Sequence, residues 1–396
     1  MGRFTVAKQC IHTGERAIQA AAFAVIVRES VVPKRCHWCF AMLRQKALQC
    51  AACKFARYCS RACLDADAAL HDYHCQALHE IKLGKLHVKD LETVRLVLAV
   101  LSMEHVVRDS QALKILVTCR EISTAEEEEA QHIVAFIVQM TGKMVDSQHV
   151  RSTLERVRCN AHPLYLNGVS CVGTGVFPDA AMSLNHSCIP NVAPSFNPRT
   201  RTLAFHAISE IPRGYTVESA YIDLLQSKKR RQALLHSGFG FDCICQRCYN
   251  EVEIGAETSE DDQERNVMEE LLQFINFNRS DIRQQFDSWR QKHTAIFEHD
   301  VEAQFALFTV EMQLACAQGQ WVDVIKAADK LLEIWKQCGL PDFYHTTETL
   351  HLQICKAAKQ AAMLEKSMSS AEKVLTIRRI CGYLHSEISI KGLHCA

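Results

Sequence analysis

The spacing of apolar residues divides the chain into strand-like and helix-like stretches. The first strands include Ala21–Val27, which is apolar and β-branched and follows a turn at His12–Glu15. Apolar residues recur at helical spacing over Leu91–Val106, so residues 76–155 are predicted to be helical. Residues 156–225 return to strand character, with glycine and proline between the strands. This order predicts a mixed α+β fold.

The pattern is helical throughout residues 265–396. Further helices are predicted over 346–363 and 370–380, the last one ending near Gly382, which suits a helix C-terminus. Helix pairs of this length resemble tetratricopeptide-type hairpins, although no repeat of about 34 residues is visible. One predicted helix face, whose tryptophans we interpret as core, carries Trp321, Val324, Ile325, Ala328, Leu331, Leu332 and Trp335.

Three runs of charged residues are not assigned to a functional site. Glu126–Glu129 is predicted to be a solvated helix face, and Lys228–Arg231 a solvated helix start, with substrate or acidic-partner binding as the minority alternative. Glu251–Glu264 is acidic and poor in apolar residues, which is typical of a linker.

Composition narrows the class of protein. Lysine plus arginine equals aspartate plus glutamate, 45 each, which argues against a dedicated nucleic-acid binder. Met1–Lys8 shows no signal peptide, and no apolar run reaches the length of a membrane span. The 20 cysteines cluster in CxxC pairs, which favours metal binding in a reducing compartment. We therefore expect a cytoplasmic and nuclear protein without membrane attachment.

Seven cysteines and one histidine between residues 36 and 75 have the spacing of zinc ligands. Eight ligands fill two tetrahedral zinc sites with none left over. About forty residues cannot bury a useful core, so metal must supply the folding energy. His37 and His74 are nearby alternative ligands. The array is Cys36-x2-Cys39, Cys50-x2-Cys53, Cys59-x3-Cys63 and His71-x3-Cys75.

A second cysteine cluster, Cys243-x-Cys245-x2-Cys248, lies further along the chain. Three cysteines at this spacing need a fourth ligand to close a tetrahedral zinc site. Cys188, within Asn185-His186-Ser187-Cys188-Ile189-Pro190-Asn191, is the predicted fourth ligand. The intervening chain must then loop back, which brings an Asn-His pair beside the segment that carries Tyr221.

The first array resembles the MYND zinc finger, including Tyr58-Cys59-Ser60 before its third pair. In that family the two sites interleave, and MYND fingers elsewhere bind proline-rich peptides, so such a peptide is an expected partner. The resemblance implies that one zinc ion is held by Cys36, Cys39, Cys59 and Cys63, and the other by Cys50, Cys53, His71 and Cys75.

The remaining motifs resemble a SET domain that the finger interrupts. The opening of a SET domain is matched by Gly2-Arg3 with Ala7 and Ile11-x-x-Gly14-Glu15, and the SET signature by Asn185–Asn191. The final SET strand with its tyrosine is matched by Ala207–Gly214 with Tyr221–Asp223. The post-SET segment is matched by Phe241-x-Cys243-x-Cys245-x2-Cys248. A split SET domain followed by a helical domain is the architecture of the SMYD family of protein lysine methyltransferases, which the chain resembles over essentially its whole length.

The resemblance implies a division into seven segments. They are an N-terminal SET part (1–33), the MYND finger (34–75), a helical SET insert (76–155), the SET core (156–235), a post-SET zinc segment (236–250), a linker (251–264) and an α-helical, tetratricopeptide-like C-terminal domain (265–396).

The implied activity is S-adenosylmethionine-dependent N-methylation of lysine in histone or non-histone proteins, by a monomer with three zinc ions. Methyl transfer needs in-line alignment, and a narrow, partly dry channel favours the neutral amine as nucleophile. By resemblance Tyr221 orients that amine and also lies at the cofactor. The resemblance implies that Gly2 and Arg3 lie along the carboxylate of the cofactor and that Phe241 packs on its adenine ring. Further implied cofactor contacts are Asn160, Asn185 and His186. The alternative for His186 is a structural role in which it orients a loop.

Two departures from the family pattern define a second hypothesis. The family usually opens with a Gly-Lys-Gly-Arg-type stretch, whereas this sequence begins Met1-Gly2-Arg3. We therefore expect part of the cofactor lip to be absent, which implies either a lower affinity for the cofactor or a truncated start. Phe239 stands in the substrate channel where a tyrosine is common, which should change hydrogen bonding and the number of methyl groups added. The alternative function is a weak or inactive SET/MYND adaptor in transcriptional regulation. DNA binding through the finger is disfavoured by the zero net charge.

Overall fold

The computed structural model describes residues 4–107, 111–114, 116, 118, 124–142, 145–166, 171–251, 260–274, 282–294 and 296–383. Gly2 and Arg3, two of the predicted cofactor contacts, lie outside the described residues. Within the described residues the strands are β1 (Arg16–Ala21), β2 (Ala24–Val27), β3 (Leu48–Gln49), β4 (Arg57–Tyr58), β5 (Ala161–Tyr165), β6 (Cys171–Val176), β7 (Asn185–His186), β8 (Val192–Asn197), β9 (Thr202–Ala207) and β10 (Glu218–Ser219).

Among the described residues from 260 to 383 the regular elements are all α-helices. No helix in the described part of the chain combines the length and apolar character that a membrane span requires. The helices are α1 (Arg61–Lys82), α2 (Leu91–Val107), α3 (Gln111–Lys114), α4 (Thr124–Met140), α5 (Ser147–Asn160), α6 (Pro178–Ser183), α7 (Lys228–Phe239), α8 (Gln246–Asn250), α9 (Glu260–Gln273), α10 (Ile282–Lys292), α11 (Ile296–His299), α12 (Val301–Ala317), α13 (Trp321–Gln337), α14 (His345–Gln360) and α15 (Leu364–Ile380).

The strands form small separate sheets. Two three-stranded sheets have the orders β1-β9-β8 and β2-β6-β5, and both are antiparallel. The stretch Ala21–Val27, predicted as one strand, is divided between them. The Ala22 amide donates to Arg201 O, and the next amide, of Phe23, donates to Val176 O. Because successive amides bond to different sheets, the chain crosses from one to the other here.

The finger is anchored in the core between these sheets. Phe40 is fully buried and packs edge-on against Phe196 of β8, with ring centroids 5.2 Å apart. Phe177 and Phe205 belong to the same buried cluster. The cysteine-rich segment therefore shares a core with the sheets, in addition to any metal that it binds.

The helical insert extends further than predicted. Helix α5 continues to Asn160, so residues 156–160, predicted to have strand character, are helical. The acidic run is also more than a solvated face. Glu127 pairs with Arg151 at 2.5 Å, and Glu129 pairs with Arg158 at 3.4 Å, which ties α4 to α5.

Helices α12 to α15 each pack against the next one along the chain, and Val324, Ala328 and Leu331 on the predicted face of α13 are buried. Trp335 is core, as predicted, and its indole N–H donates to Pro341 O at 2.8 Å. Helix α9 begins at Glu260, inside the predicted linker, and α15 begins at Leu364 rather than near residue 370.

The last helix docks on the sheets through a glycine. Gly382, just past the end of α15, has φ +68°, which glycine tolerates best. A Cβ at this position would lie 2.2–2.5 Å from the ring of His206 on β9. Because the His206 ring also hydrogen-bonds Gly14 O at 3.3 Å, it cannot move away without breaking a contact.

We expect Gly382→Ala to lower the free energy of unfolding by about 2–5 kcal/mol. The left-handed backbone costs about 1–2 kcal/mol for a residue with a Cβ, and overpacking adds about 1–3 kcal/mol. Gly339→Ala is the matched control, because Gly339 has φ +64° and open space around its Cα. Urea unfolding should show a loss of only about 1–2 kcal/mol for this control. Equal losses in the two variants would refute the proposed steric contact.

Candidate active site and zinc centres

Three four-residue donor sets come together in the structure, and their members are those predicted from the sequence. Within each set all ligand atoms lie within 4.8 Å of one another. In the first set Cys59 Sγ lies 3.5 Å from Cys39 Sγ and 3.6 Å from Cys63 Sγ. Tetrahedral zinc with Zn–S bonds near 2.3 Å requires sulfur atoms about 3.8 Å apart. The observed spacing therefore fits a zinc ion.

The second set uses one face of α1. Ser60 caps this helix by accepting a hydrogen bond from the Cys63 amide, and His71 and Cys75, four residues apart, lie on the same helix face. Cys53 Sγ is 3.6 Å from His71 Nε2, and Cys50 Sγ is 3.7 Å from Cys75 Sγ. The donor separations again suit a tetrahedral ion.

The two alternative histidine ligands are engaged elsewhere. His37 Nδ1 accepts the Arg57 amide at 3.0 Å, and His74 Nδ1 lies 2.6 Å from Ser102 Oγ. Neither histidine belongs to a donor set among the described residues.

The third set closes between distant segments. Cys188 Sγ lies 3.5 Å from Cys248 Sγ and 4.0 Å from Cys243 Sγ, and Cys245 completes the set. Zinc with four thiolates carries a net charge of about −2, so its burial calls for a nearby cation. Fully buried Arg231 provides one, with Nη2 3.6 Å from Cys248 Sγ.

The position of Arg231 corrects the prediction of a solvated start for α7. Its guanidinium also pairs with Glu251 at 2.5 Å and donates to Gln226 O at 2.6 Å. In the sequence Arg231 is one of four consecutive basic residues, and nothing there shows that it is the buried one.

His186 connects the third cysteine set to Tyr221. The Tyr221 amide donates to His186 Nδ1 at 3.0 Å, and His186 Nε2 lies 3.2 Å from Cys188 Sγ. Because Nδ1 accepts, the ring proton of the neutral form must be on Nε2, where it donates to the sulfur. Burial lowers the pKa of His186 to about 4, which favours the neutral ring. Both ring nitrogens are thus occupied within the protein, in agreement with the structural alternative for this side chain.

Tyr221 follows strand β10 rather than lying in a strand. Residues 185 and 186 of β7 pair in parallel with residues 218 and 219 of β10, which brings the two distant segments side by side. The Tyr221 hydroxyl donates to Leu184 O, and its ring centroid is 5.0 Å from that of Phe239. Burial raises the pKa of Tyr221 to about 12, so the hydroxyl stays protonated at neutral pH.

Tyr221 lines a cleft of about 270 Å³ between the sheets and the C-terminal helices. Asn160 and Phe239, both predicted site residues, line it too. An aromatic stack crosses the cleft wall from β5 to α13, with centroid distances of 4.9 Å for Tyr165–His345, 4.4 Å for His345–Tyr344 and 5.7 Å for Tyr344–Trp335. Sequence reasoning missed this stack, because its members come from separate segments and only Trp335 had been singled out, as core.

The charge of the cleft is negative. Among the described lining residues the only carboxylate is Asp223, and no lysine or arginine is present. Burial lowers the pKa of His345 to about 4, so this histidine is neutral. The cleft therefore suits a cation with an apolar stem.

The remaining predicted site residues lie around Tyr221. Phe241 is half-buried, with its ring 6.5 Å from that of Tyr221 and 6.2 Å from that of His186. Asn185 is exposed on β7. Asn160 is buried at the end of α5 and donates to Arg156 O at 2.8 Å.

Comparisons with known proteins agree with this architecture. The MYND finger family matches residues 36–75. N-lysine methyltransferase SMYD2 of Mus musculus is 26% identical over 360 residues, which cover 84% of this chain and 81% of that protein. The Homo sapiens protein of the same name is 27% identical over 62% of this chain and 58% of its own length, and the Gallus gallus one 28% identical over 59% and 55%.

With this finger, and with relatives that span most of its length, the chain is similar to the N-lysine methyltransferases named SMYD2.

Proposed function

We propose that the protein transfers a methyl group from S-adenosylmethionine to lysine side chains of histone or non-histone proteins, in a SET fold that the MYND finger interrupts and a post-SET zinc segment completes. The observation that carries this proposal is the chemistry of the cleft: a tyrosine whose hydroxyl is held by Leu184 O, aromatic walls, and one carboxylate among the described lining residues. The names of the relatives support the same reaction.

The cleft matches a lysine side chain. Its aromatic walls, which include Tyr165, Phe239 and Tyr344, can contact four apolar methylenes. Asp223 attracts the ammonium group during approach. Inside, the aromatic surroundings disfavour the charged form, which helps the amine to lose its proton to water and become nucleophilic.

The orientation of the Tyr221 hydroxyl supports its role at the reacting amine. Its proton is committed to the Leu184 carbonyl, so its oxygen lone pairs remain available as acceptors. An acceptor at this point can align the amine and stabilise the positive charge of the methyl group in transfer.

The residues proposed for the cofactor fit its chemistry. Phe241 offers a half-buried ring face to an adenine base, and Asn185 an exposed amide, both near Tyr221. Asn160 offers a further amide inside the cleft. When bound, S-adenosylmethionine supplies the activated methyl group.

We propose a separate role for the finger in binding protein partners, with proline-rich peptides as the class. Met42 and Leu48 leave 58% and 38% of their surface exposed on the finger. Exposed apolar side chains on a rigid, metal-held module suit such peptides.

We expect Tyr221→Phe to lower the rate of methyl transfer by about 100-fold or more, because removal of one preorganised hydrogen-bonding group from an active site costs about 10²–10³-fold in rate. S-adenosylmethionine binding, measured by calorimetry, should remain. Tyr215→Phe is the control, since Tyr215 is 66% exposed and lies outside the cleft. A tritiated-methyl assay on histones and a cell lysate gives the rates. Unchanged activity of Tyr221→Phe would remove this residue from the mechanism, and absence of cofactor binding to the wild type would favour the adaptor function.

We expect Phe239→Tyr to shift the products toward fewer methyl groups per lysine. The new hydroxyl would lie beside the Tyr221 ring and could hold the amine, which restricts the rotation needed for a second transfer. Mass spectrometry of a methylated peptide gives the ratio of products. An unchanged ratio at equal total turnover would show that this position does not control product number.

We expect elemental analysis after dialysis to find three zinc ions per chain, from the twelve ligands of the three sets. Cys188→Ser should lose one zinc ion and methyl transfer together, because the His186 bridge to Tyr221 depends on that sulfur. Cys316→Ser, at an exposed cysteine of α12, should keep both. Full activity of Cys188→Ser with only two zinc ions would contradict the coupling.

A further inference from the structure

A fourth cluster of metal-ligating side chains lies outside the three zinc centres and outside the cleft. Its members are Cys10, His12 and Glu210, whose donor atoms lie within 4.8 Å of one another. Residue spacing does not reveal this cluster, because Glu210 is distant in the chain and no CxxC pair is involved.

The backbone holds these three residues in register. Ile11 and Ile211 form an antiparallel bridge in which each amide donates to the other carbonyl at 2.9 Å. Side chains on both sides of Ile11 point to the same face of the strand, so Cys10 and His12 are neighbours there. Glu210 precedes Ile211 and reaches the same face from the opposite strand.

A turn further fixes His12. The His12 amide donates to Glu15 Oε2 at 2.8 Å, and the Glu15 amide donates to His12 O at 2.9 Å. These two bonds hold the backbone on which the imidazole is carried. The imidazole of His12 is therefore carried by a hydrogen-bonded turn.

The separations of the donors suit a metal ion with small adjustment. Cys10 Sγ is 4.0 Å from His12 Nδ1, which is 3.8 Å from Glu210 Oε2. Tetrahedral zinc needs about 3.6 Å for the sulfur–nitrogen edge and about 3.4 Å for the nitrogen–oxygen edge. The imidazole and carboxylate are 67% and 66% exposed, so side-chain rotation can close this gap.

We propose that Cys10, His12 and Glu210 form an open binding site for a divalent transition-metal ion of the zinc class, with the fourth position left to water. A mixed sulfur, nitrogen and oxygen donor set favours zinc, cobalt or nickel over magnesium and calcium. Binding replaces the Cys10 thiol proton with the metal, and that proton passes to solvent. Being exposed, the site binds more weakly than the three closed centres and empties on dialysis.

In the metal-free alternative His12 Nδ1 lies 3.8 Å from Glu210 Oε2, with the Cys10 thiol beside it. The thiolate, and not the thiol, is the form of Cys10 that binds a metal ion. The metal-bound and metal-free forms of the cluster can therefore be distinguished, because only the former contains a metal-bound thiolate. Metal binding would also join the Cys10 segment to the Glu210 segment and strengthen their pairing.

The test is a titration of the full chain, with its three zinc ions in place, by cobalt(II) chloride. A thiolate-to-cobalt charge-transfer band in the near ultraviolet reports coordination by sulfur. We expect this band in the wild type and in Cys316→Ser, which lacks a different, exposed cysteine. Cys10→Ser should abolish the band, and Glu210→Gln should keep it but weaken cobalt binding about tenfold or more.

Exchange of cobalt into the closed centres is detected by zinc release to a chromogenic dye. A band that persists in Cys10→Ser, with or without zinc release, would overturn the proposal, as would the absence of a band in the wild type. Matching melting temperatures of the zinc-loaded, cobalt-free wild type and variants would show that loss of the band is not loss of fold. Methyl transfer is not part of the readout, so the result is independent of the proposed function.

Discussion

The imidazole of His186 is the point on which the geometry of the candidate active site depends. One ring nitrogen accepts the Tyr221 amide and the other donates to Cys188, a member of the third cysteine set. Only the tautomer with its proton on Nε2 satisfies both contacts. A metal-thiolate sulfur is a stronger acceptor than a thiol, because it carries charge. Metal binding at the cysteines therefore reinforces the position of the tyrosine backbone.

Buried charge extends this connection to the cleft wall. Arg231 and Arg247 both pair with Glu251, at 2.5 and 2.8 Å, and Arg247 also donates to Leu224 O at 2.5 Å. Breaking one partner of such a network would leave an uncompensated buried charge, a loss of about 3–5 kcal/mol. Because Leu224 lines the cleft, these ion pairs and hydrogen bonds connect the third cysteine set and the start of α7 to the cleft wall.

The zinc ligand sets were predictable because their information is local. Cysteine pairs at fixed spacing, and a count that leaves no ligand over, suffice without knowledge of the fold. The division between β1 and β2 was not predictable, because Ala22 and Phe23 are apolar like their neighbours and only their partners, Arg201 and Val176, separate the sheets. Arg231 was misjudged for a related reason: the sequence shows its charge but not the buried thiolates that it faces.

The cleft could not be predicted from individual residues in the sequence. Its walls are the aromatic stack, which joins Tyr165 of β5 to Trp335 of α13, so they exist only when the C-terminal helices dock on the sheets. That docking depends on the close approach of Gly382 to His206, where a single methyl group would not fit. Ile377 of α15 belongs to the same buried cluster as Trp335 and Tyr344 of the cleft wall, so the position of α15 bears on that wall. Substrate selection should therefore respond to changes at this distant contact even where every side chain in the cleft is unaltered.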